Sequence, residues 1–296
     1  MRSAPLMRVR RWLVRVLAAI AAIAIGLVAF VYARSEWLLR KRYETTQAAL
    51  VLSRPPDLQR GEHLVLTLGC AGCHGAELQG GRQLPGGEIF GTKIPANLTL
   101  LAQTWTDQDF VRVIRRGVLP DGTSVIVMPA MAFRFLTDDD VAAVIAHVRS
   151  RPAGGEAQPP PRDSFAKRAM LALGMFSFGA QQVIDEADTE PIRLGAETER
   201  GRYLAVTACG MCHGRDLKGQ PAPPLFPQFA PPDLATAAGY SREAFESLLR
   251  TGRNAAGAEL GTMSSVAGDR LRYLDTKEVD DLYAYLVARA AAIKRL

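Results

Sequence analysis

The chain has 296 residues, of which 48% are hydrophobic and 22% charged, and its formal net charge is +6. This length suffices for two domains of roughly 100 residues each beside a membrane segment. Residues 1–45 contain nine Lys/Arg and two Asp/Glu, whereas residues 46–151, 152–190 and 191–296 carry net charges of 0, −3 and +2. Because the positive charge is concentrated at the N-terminus, the composition argues against nucleic acid as a partner.

Residues 1–45 are interpreted as a membrane anchor with its flanking segment. Five arginines precede an uncharged run of 18 residues from Val16 to Ala33. At about 1.5 Å per residue, a helix of this length nearly covers a hydrocarbon core of ~30 Å, and arginine-rich flanks stay on the cytoplasmic side. We therefore expect an uncleaved single-pass anchor. A cleaved signal peptide, with Val31 and Ala33 at the cleavage site, is the alternative, although its apolar run is usually about 7–15 residues.

The segment 46–151 is predicted to be a first all-α domain. Leu58 to Leu68 has helical spacing of apolar residues and leads into the first cysteine motif. A second helix follows the predicted N-cap Thr106 and ends at Gly117, and a third follows the predicted N-cap Thr137. Glycines and a proline between Gly75 and Gly87 predict a long irregular loop.

All four cysteines lie in two pentapeptides, Cys70–His74 (CAGCH) and Cys209–His213 (CGMCH). Two cysteines three positions apart, followed directly by a histidine, can form thioethers to both vinyl groups of a haem while the imidazole ligates the iron. A zinc ribbon or a redox dithiol is the alternative, but the cysteine pairs lie 139 positions apart and both carry the adjoining histidine. The motifs therefore predict two covalent haem c groups, attached at Cys70, Cys73, Cys209 and Cys212, with His74 and His213 as iron ligands.

The sixth ligand of the first iron is predicted to be Met128. Pro129 fixes its own φ and favours an extended Met128, which places the thioether on a stiff segment nine residues before Thr137. Met131 is the alternative ligand, and a third interpretation has both methionines filling the core.

Residues 152–190 are predicted to connect two domains. Prolines and glycines mark one end, an acidic stretch marks the other, and an apolar centre of 12 residues lies between them. This centre is too short to span a bilayer, so we expect a helix that packs on the domains, with a helix in the membrane interface as the alternative. Because these apolar side chains are costly to leave in water, they need a surface that covers them. We therefore expect the two domains to dock instead of swinging freely.

The segment 191–296 repeats the first domain in order, with one residue fewer before its cysteine motif. His63 falls opposite Tyr203 and His147 opposite Tyr285, and tyrosine would not replicate a histidine ligand. Both histidines are therefore expected to be packing or surface residues.

Elimination assigns the sixth ligand of the second iron. Met211 lies between the attachment cysteines and cannot reach the opposite haem face, which leaves Met263 as the remaining methionine of the segment. Met263 also precedes the predicted N-cap Asp275 by 12 residues, enough for a loop over the haem edge.

The chain resembles membrane-anchored bacterial dihaem cytochromes c, which consist of two class I cytochrome c domains in tandem. The resemblance rests on the two haem motifs, Met128-Pro129 before the third helix, and the closing helices of both repeats. In that family a glycine on the first helix lets the last helix cross closely beside an aromatic ring; Gly61 and Gly201 match the glycine, Tyr285 matches the aromatic, and His147 departs from it. The resemblance implies haem domains in the periplasm, an anchor in the inner membrane, and a role in electron transfer.

Histidine and methionine together would leave no iron position for peroxide or oxygen, so we expect an electron carrier and no enzyme. A dihaem peroxidase-like enzyme is the alternative, because such enzymes also carry two motifs but need one haem that opens to substrate. A haem-based sensor or assembly factor is a third class. The expected partners are redox proteins: a dehydrogenase, a quinol-oxidising complex or a terminal oxidase.

Overall fold

The computed structural model describes residues 4–46, 48–81, 90–92, 94–186, 188–221 and 230–295. Within these ranges the chain forms helices and turns, with two isolated β-bridges and no extended strand. The all-α prediction is confirmed. The part of the predicted irregular loop from residue 82 to 87 lies outside the described residues.

Helix α1 spans Ala4–Leu39. Its stretch Arg8–Leu39 is long and apolar enough to cross a membrane, and none of the residues in its most apolar window is buried within the molecule. The helix continues past the apolar run because its C-terminal end has partners in the connector. Arg168 donates to Ser35 Oγ at 3.1 Å and to Glu36 Oε2 at 2.9 Å, and Arg34 Nε donates to the Ala172 carbonyl at 3.2 Å.

The first repeat contains six helices among its described residues: α2 Leu58–Thr67, α3 Cys70–His74, α4 Leu98–Leu101, α5 Asp107–Arg116, α6 Ala130–Phe133 and α7 Asp138–Ser150. Helix α5 starts at Thr106, which forms a capping box with Asp109, and ends at Gly117 with φ +64°. The Thr137 side chain accepts a hydrogen bond from the Asp140 backbone N–H at the start of α7. The predicted caps are therefore present, because each depends only on residues within one turn of the helix end.

The second repeat contains α10 Glu199–Leu204, α11 Gly210–His213, α12 Arg242–Thr251, α13 Thr262–Asp269 and α14 Thr276–Ile293. A π-helical turn, Ala205–Cys209, joins α10 to α11 without a break. At the equivalent point, the first repeat has one residue more than the second. This residue is Gly69, whose backbone has the left-handed conformation. Asp275 and Glu278 form the capping box of α14, as Asp275 was predicted to do.

In both repeats the first helix crosses the last one closely, α2 against α7 and α10 against α14. A Cβ on Gly61 would lie 2.1 Å from the Ala143 carbonyl oxygen, and a Cβ on Gly201 would lie 2.0 Å from that of Asp281. No side chain larger than hydrogen fits at either crossing. His147 therefore takes the place of Tyr285 beside the first crossing without opening it.

The connector forms two short helices, α8 Phe165–Ala172 and α9 Gly179–Asp185. Helix α8 packs against α1, and α9 packs against α5 and α6. The sequence predicts a single helix packed on the domains, whereas the described residues form two helices, of which only α9 packs on a domain. Leu171 and Phe178 are buried, and Leu173 remains 68% exposed.

The two repeats contact each other through equivalent elements. Helix α6 touches the π-helical turn and α11, and the 3₁₀ turn Leu271–Tyr273 touches α2. In each repeat, the segment just before the last helix therefore contacts the other repeat at or near its cysteine motif. The expected docking of the two repeats is present.

A cluster of polar side chains joins the repeats, and we call it the interdomain polar cluster: Arg60, His63, Asp140, Arg200, Tyr203 and Glu278. Glu278 accepts hydrogen bonds from Arg60 at 3.1 Å and Arg200 at 3.1 Å and lies 2.7 Å from His63 Nε2. Asp140 accepts from Arg60 at 2.9 Å and from the Tyr203 hydroxyl. The six residues are three repeat-equivalent pairs, so the cluster has an approximate two-fold symmetry.

Candidate functional site

The two cysteine motifs occupy α3 and α11. Cys70, Cys209 and Cys212 are half-buried, and Cys73 is exposed. Burial raises the pKa of the Cys70 thiol to about 12 and that of Cys209 to about 11. A redox dithiol needs a readily formed thiolate, so the raised pKa values of Cys70 and Cys209 disfavour that interpretation.

Both motif histidines make the same hydrogen bond. His74 Nδ1 lies 2.8 Å from the Ala96 carbonyl oxygen, and His213 Nδ1 lies 2.8 Å from that of Pro232. A carbonyl can only accept, so Nδ1 carries the proton and Nε2 keeps a lone pair. Burial lowers the pKa of both imidazoles, which favours the neutral form that binds iron.

The loop after each motif brings these carbonyls within reach. The chain turns back through Leu78 at φ +59° and Leu217 at φ +62°, a conformation that a branched residue rarely adopts. Both leucine side chains are fully buried, and this burial offsets the strain. Their backbone carbonyls accept from Leu98 N at 2.8 Å and from Leu234 N at 2.9 Å, which fixes the segments carrying Ala96 and Pro232.

The same loops require glycine two residues later. A Cβ on Gly80 would lie 2.4 Å from the Pro95 carbonyl oxygen, and one on Gly219 would lie 2.4 Å from that of Pro231. The two repeats therefore build the histidine environment in the same way, from different surrounding residues.

Zinc is not supported by the arrangement of the side chains. Among the described residues, which include all four cysteines and all four histidines, no three His, Cys, Asp or Glu side chains converge on a common point. Structural zinc needs four such ligands in a tetrahedron.

The predicted methionines lie in the same apolar clusters as the motif cysteines. In the first repeat, Met128 and Cys70 both pack against the cluster around Leu64, Phe110 and Ile145. In the second repeat, Met263 and Cys209 both pack against the cluster around Leu204, Phe245 and Leu282. A haem attached at each motif would thus meet a thioether and an apolar lining in the same cluster.

Met131 has a different environment from Met128. Its side chain is buried and lines a cavity of about 480 Å³ together with Pro129, Phe176 and Met211. The cavity lies between the first repeat, the connector and the second motif.

The family model described as Cytochrome c matches residues 58–152 and 198–289, more than half of the chain. The chain belongs to the cytochrome c family. The two matched ranges confirm the resemblance inferred from the motifs, with one cytochrome c domain in each repeat.

Several relatives that the chain matches carry cytochrome names, including the following three. The fructose dehydrogenase cytochrome subunit of Gluconobacter japonicus is 25% identical over 277 residues, covering 83% of this chain and 55% of its own length. The gluconate 2-dehydrogenase cytochrome c subunit of Pantoea cypripedii is 26% identical over 268 residues, covering 79% and 60%. The diheme cytochrome c-type protein of Cereibacter sphaeroides is 28% identical over 255 residues, covering 72% and 84%. This cytochrome c chain therefore spans little more than half the length of the two dehydrogenase subunits.

The sequence predicts that the two cytochrome c domains dock, but it did not reveal the polar side-chain contacts between them. His63, expected to be a packing or surface residue, hydrogen-bonds to Glu278 of the other domain. The aligned repeats contained a signal for this cluster, since Arg60 and Arg200 occupy the same position, as do Asp140 and Glu278.

Proposed function

We propose that this chain is a membrane-anchored electron carrier with two covalently attached haem c groups. Cys70 and Cys73 would attach the first haem, and Cys209 and Cys212 the second. His74 and Met128 would ligate the first iron, and His213 and Met263 the second. The observation that carries the proposal is the pair of Nδ1–H to carbonyl hydrogen bonds, which leave each Nε2 available as an iron ligand.

When bound, haem c supplies one-electron exchange between Fe(III) and Fe(II). The chain's own residues determine how that exchange is used. The Ala96 and Pro232 carbonyls orient the imidazoles, and the apolar clusters keep water from the methionine side. With a histidine and a thioether on each iron, no coordination position is left for peroxide, so the proposal is a carrier and no peroxidase.

The domain boundaries belong to the same proposal: an anchor at 1–45, haem domains at 46–151 and 191–296, and a connector at 152–190. The matched family ranges, 58–152 and 198–289, support these limits. The anchor would remain uncleaved in the inner membrane and hold both domains in the periplasm. The bonds that join Ser35 and Glu36 to Arg168 support this, because they fix the end of the anchor helix to the connector.

We propose a membrane-associated dehydrogenase as the electron donor, with a quinol-oxidising complex or a terminal oxidase as other redox partners. The support comes from the two relatives named as cytochrome subunits of dehydrogenases.

Intact-mass spectrometry of the full chain, produced in a bacterium with a haem c maturation system, tests this proposal. The expected mass is that of the uncleaved polypeptide plus two haems, and a pyridine haemochrome assay should give two c-type haems per chain. Replacing Cys70 and Cys73 by serine should remove one haem, as should replacing Cys209 and Cys212. A chain without haem would contradict the carrier proposal, and a mature chain that starts at Arg34 would contradict the anchor proposal.

A further inference from the structure

Arg270 is a buried arginine that has no ion-pair or side-chain hydrogen-bond partner among the residues that the structure describes. It follows α13, the helix that carries Met263, and its side chain is only 7% exposed. Within the part of the chain that the structure describes, no carboxylate lies within ion-pair distance of it and no side-chain hydrogen bond involves it. A buried cation normally acquires a counter-charge, because removal from water is costly.

The Arg270 side chain lies between the two cysteine motifs. A Cβ on Gly69, the residue before Cys70, would lie 3.1 Å from Arg270 Cδ and 3.7 Å from Nη1. The next residue, Leu271, packs in the second apolar cluster together with Cys209 and Met263. The guanidinium of one domain thus reaches the motif of the other while remaining close to its own.

The electrostatics agree with this placement. Burial raises the pKa of the thiols of Cys70 and Cys209, and the Arg270 charge partly offsets the increase at both.

The position has no charged counterpart in the first domain. Counting back from the caps Asp275 and Thr137, Arg270 is equivalent to Ala132, which is fully buried. Among the described residues, the approximate two-fold symmetry of the domain interface is therefore broken here, with a cation in one repeat and an alanine in the other.

We propose that Arg270 is a potential-tuning residue shared by both haems. The inference rests on the proposed attachment of a haem at each motif. Reduction adds one electron to a haem, so a fixed positive charge stabilises the reduced form more than the oxidised form. Because the residue is largely buried, its charge is screened less than a surface charge, and it should raise both midpoint potentials.

A redox titration of the full, detergent-solubilised holoprotein tests the inference. Arg270→Gln should lower both midpoint potentials, whereas Arg270→Lys, which keeps the charge, should lower neither by a comparable amount. The matched control is Arg272→Gln, two positions away, which removes the same charge from an exposed side chain. The shift in midpoint potential caused by Arg272→Gln should be smaller than that caused by Arg270→Gln. It should also become smaller as the salt concentration rises.

Haem content and the low-spin spectrum are recorded first for every variant, so that failure of haem attachment is distinguished from failure of the inference. If Arg270→Gln does not take up two haems, Arg270→Met, which retains the apolar stem, replaces it. Unchanged potentials in a fully haem-loaded neutral variant, or a decrease at one haem alone, would overturn the inference. Equal decreases in the neutral and lysine variants would also overturn it, since they would show an effect of shape.

Discussion

Met128 and Met263 are the residues whose replacement separates the two proposed iron sites. Each packs in one apolar cluster with one motif cysteine. Met128→Ala and Met263→Ala should each convert one haem, and only one, to a high-spin form that binds carbon monoxide and has a lower potential. The reason is that each change removes the methionine sulfur proposed as an iron ligand. Optical spectra with and without carbon monoxide measure the outcome.

Met131→Ala is the control for the first of these changes, because Met131 lies nearby but lines the cavity towards Met211. It should leave both haems low-spin. If Met131→Ala alone opens the first haem, the assignment of Met128 is wrong.

Glu278 is the residue on which the interdomain polar cluster depends most, since three side chains contact it. Burial would raise its pKa, but the hydrogen bond and charge of His63, with the bond from Arg60, lower the pKa to about 2 from the ordinary 4.5. A carboxylate whose pKa is depressed on folding stabilises the fold above about pH 4.5 and loses that contribution as the pH falls towards 2. The free energy of unfolding of the holoprotein should therefore decrease across this range in denaturant titrations, and less so in Glu278→Gln.

Glu278→Ala should cost about 1–3 kcal/mol at neutral pH, because it removes one hydrogen-bonded partner of the buried Arg60 guanidinium, which Asp140 still pairs with. The control is Glu259→Ala, which breaks the exposed pair with Arg253 and should cost about 0–1 kcal/mol. Equal effects of the two changes would show that the interdomain polar cluster contributes little.

The close crossing of the first and last helices in each domain depends on a glycine. This glycine is Gly61 where α2 crosses α7 and Gly201 where α10 crosses α14. Gly61→Ala and Gly201→Ala should each destabilise their domain by at least about 1–3 kcal/mol, since the new methyl group would overlap a backbone carbonyl. Thermal unfolding monitored by circular dichroism measures this loss. Gly268→Ala is the matched control: it lies in α13 with nothing near its Cβ position and should be neutral or slightly stabilising. An unchanged melting temperature in Gly61→Ala would contradict the close crossing.

The helices themselves could be predicted because their signals are local. Thr106, Thr137 and Asp275 each cap a helix through a residue three positions further along, so sequence alone locates them. The hydrogen bond between each motif histidine and its carbonyl could not be predicted, because it depends on a turn with leucine at positive φ, which sequence patterns do not favour. The contact between Arg60 and Glu278 also escaped prediction, since it joins residues 218 positions apart.

The connector joins helix α1 to the first domain through side-chain contacts. Lys167 is buried, and Arg168 bonds to the end of α1, so trypsin should cleave after either residue slowly in the detergent-solubilised protein. Glu36→Gln weakens the bond to Arg168 and should accelerate that cleavage by up to roughly fivefold, the equivalent of about 1 kcal/mol. Glu44→Gln, whose side chain is 72% exposed and 4.0 Å from Arg116, is the control and should change nothing. Rapid cleavage of the unmodified chain within the connector would contradict a docked arrangement.

The whole molecule combines two histidine sites of the same geometry in two docked domains. A stoichiometric reductive titration of the purified full chain, followed optically, tests this account most directly when carbon monoxide is then added to the reduced protein and peroxide to a separate oxidised sample. We predict that the chain takes up two electrons, one at each haem, that both haems stay low-spin, and that neither ligand alters the spectra. Uptake of fewer than two electrons, or a haem in the unmodified protein that binds carbon monoxide or peroxide, would contradict it.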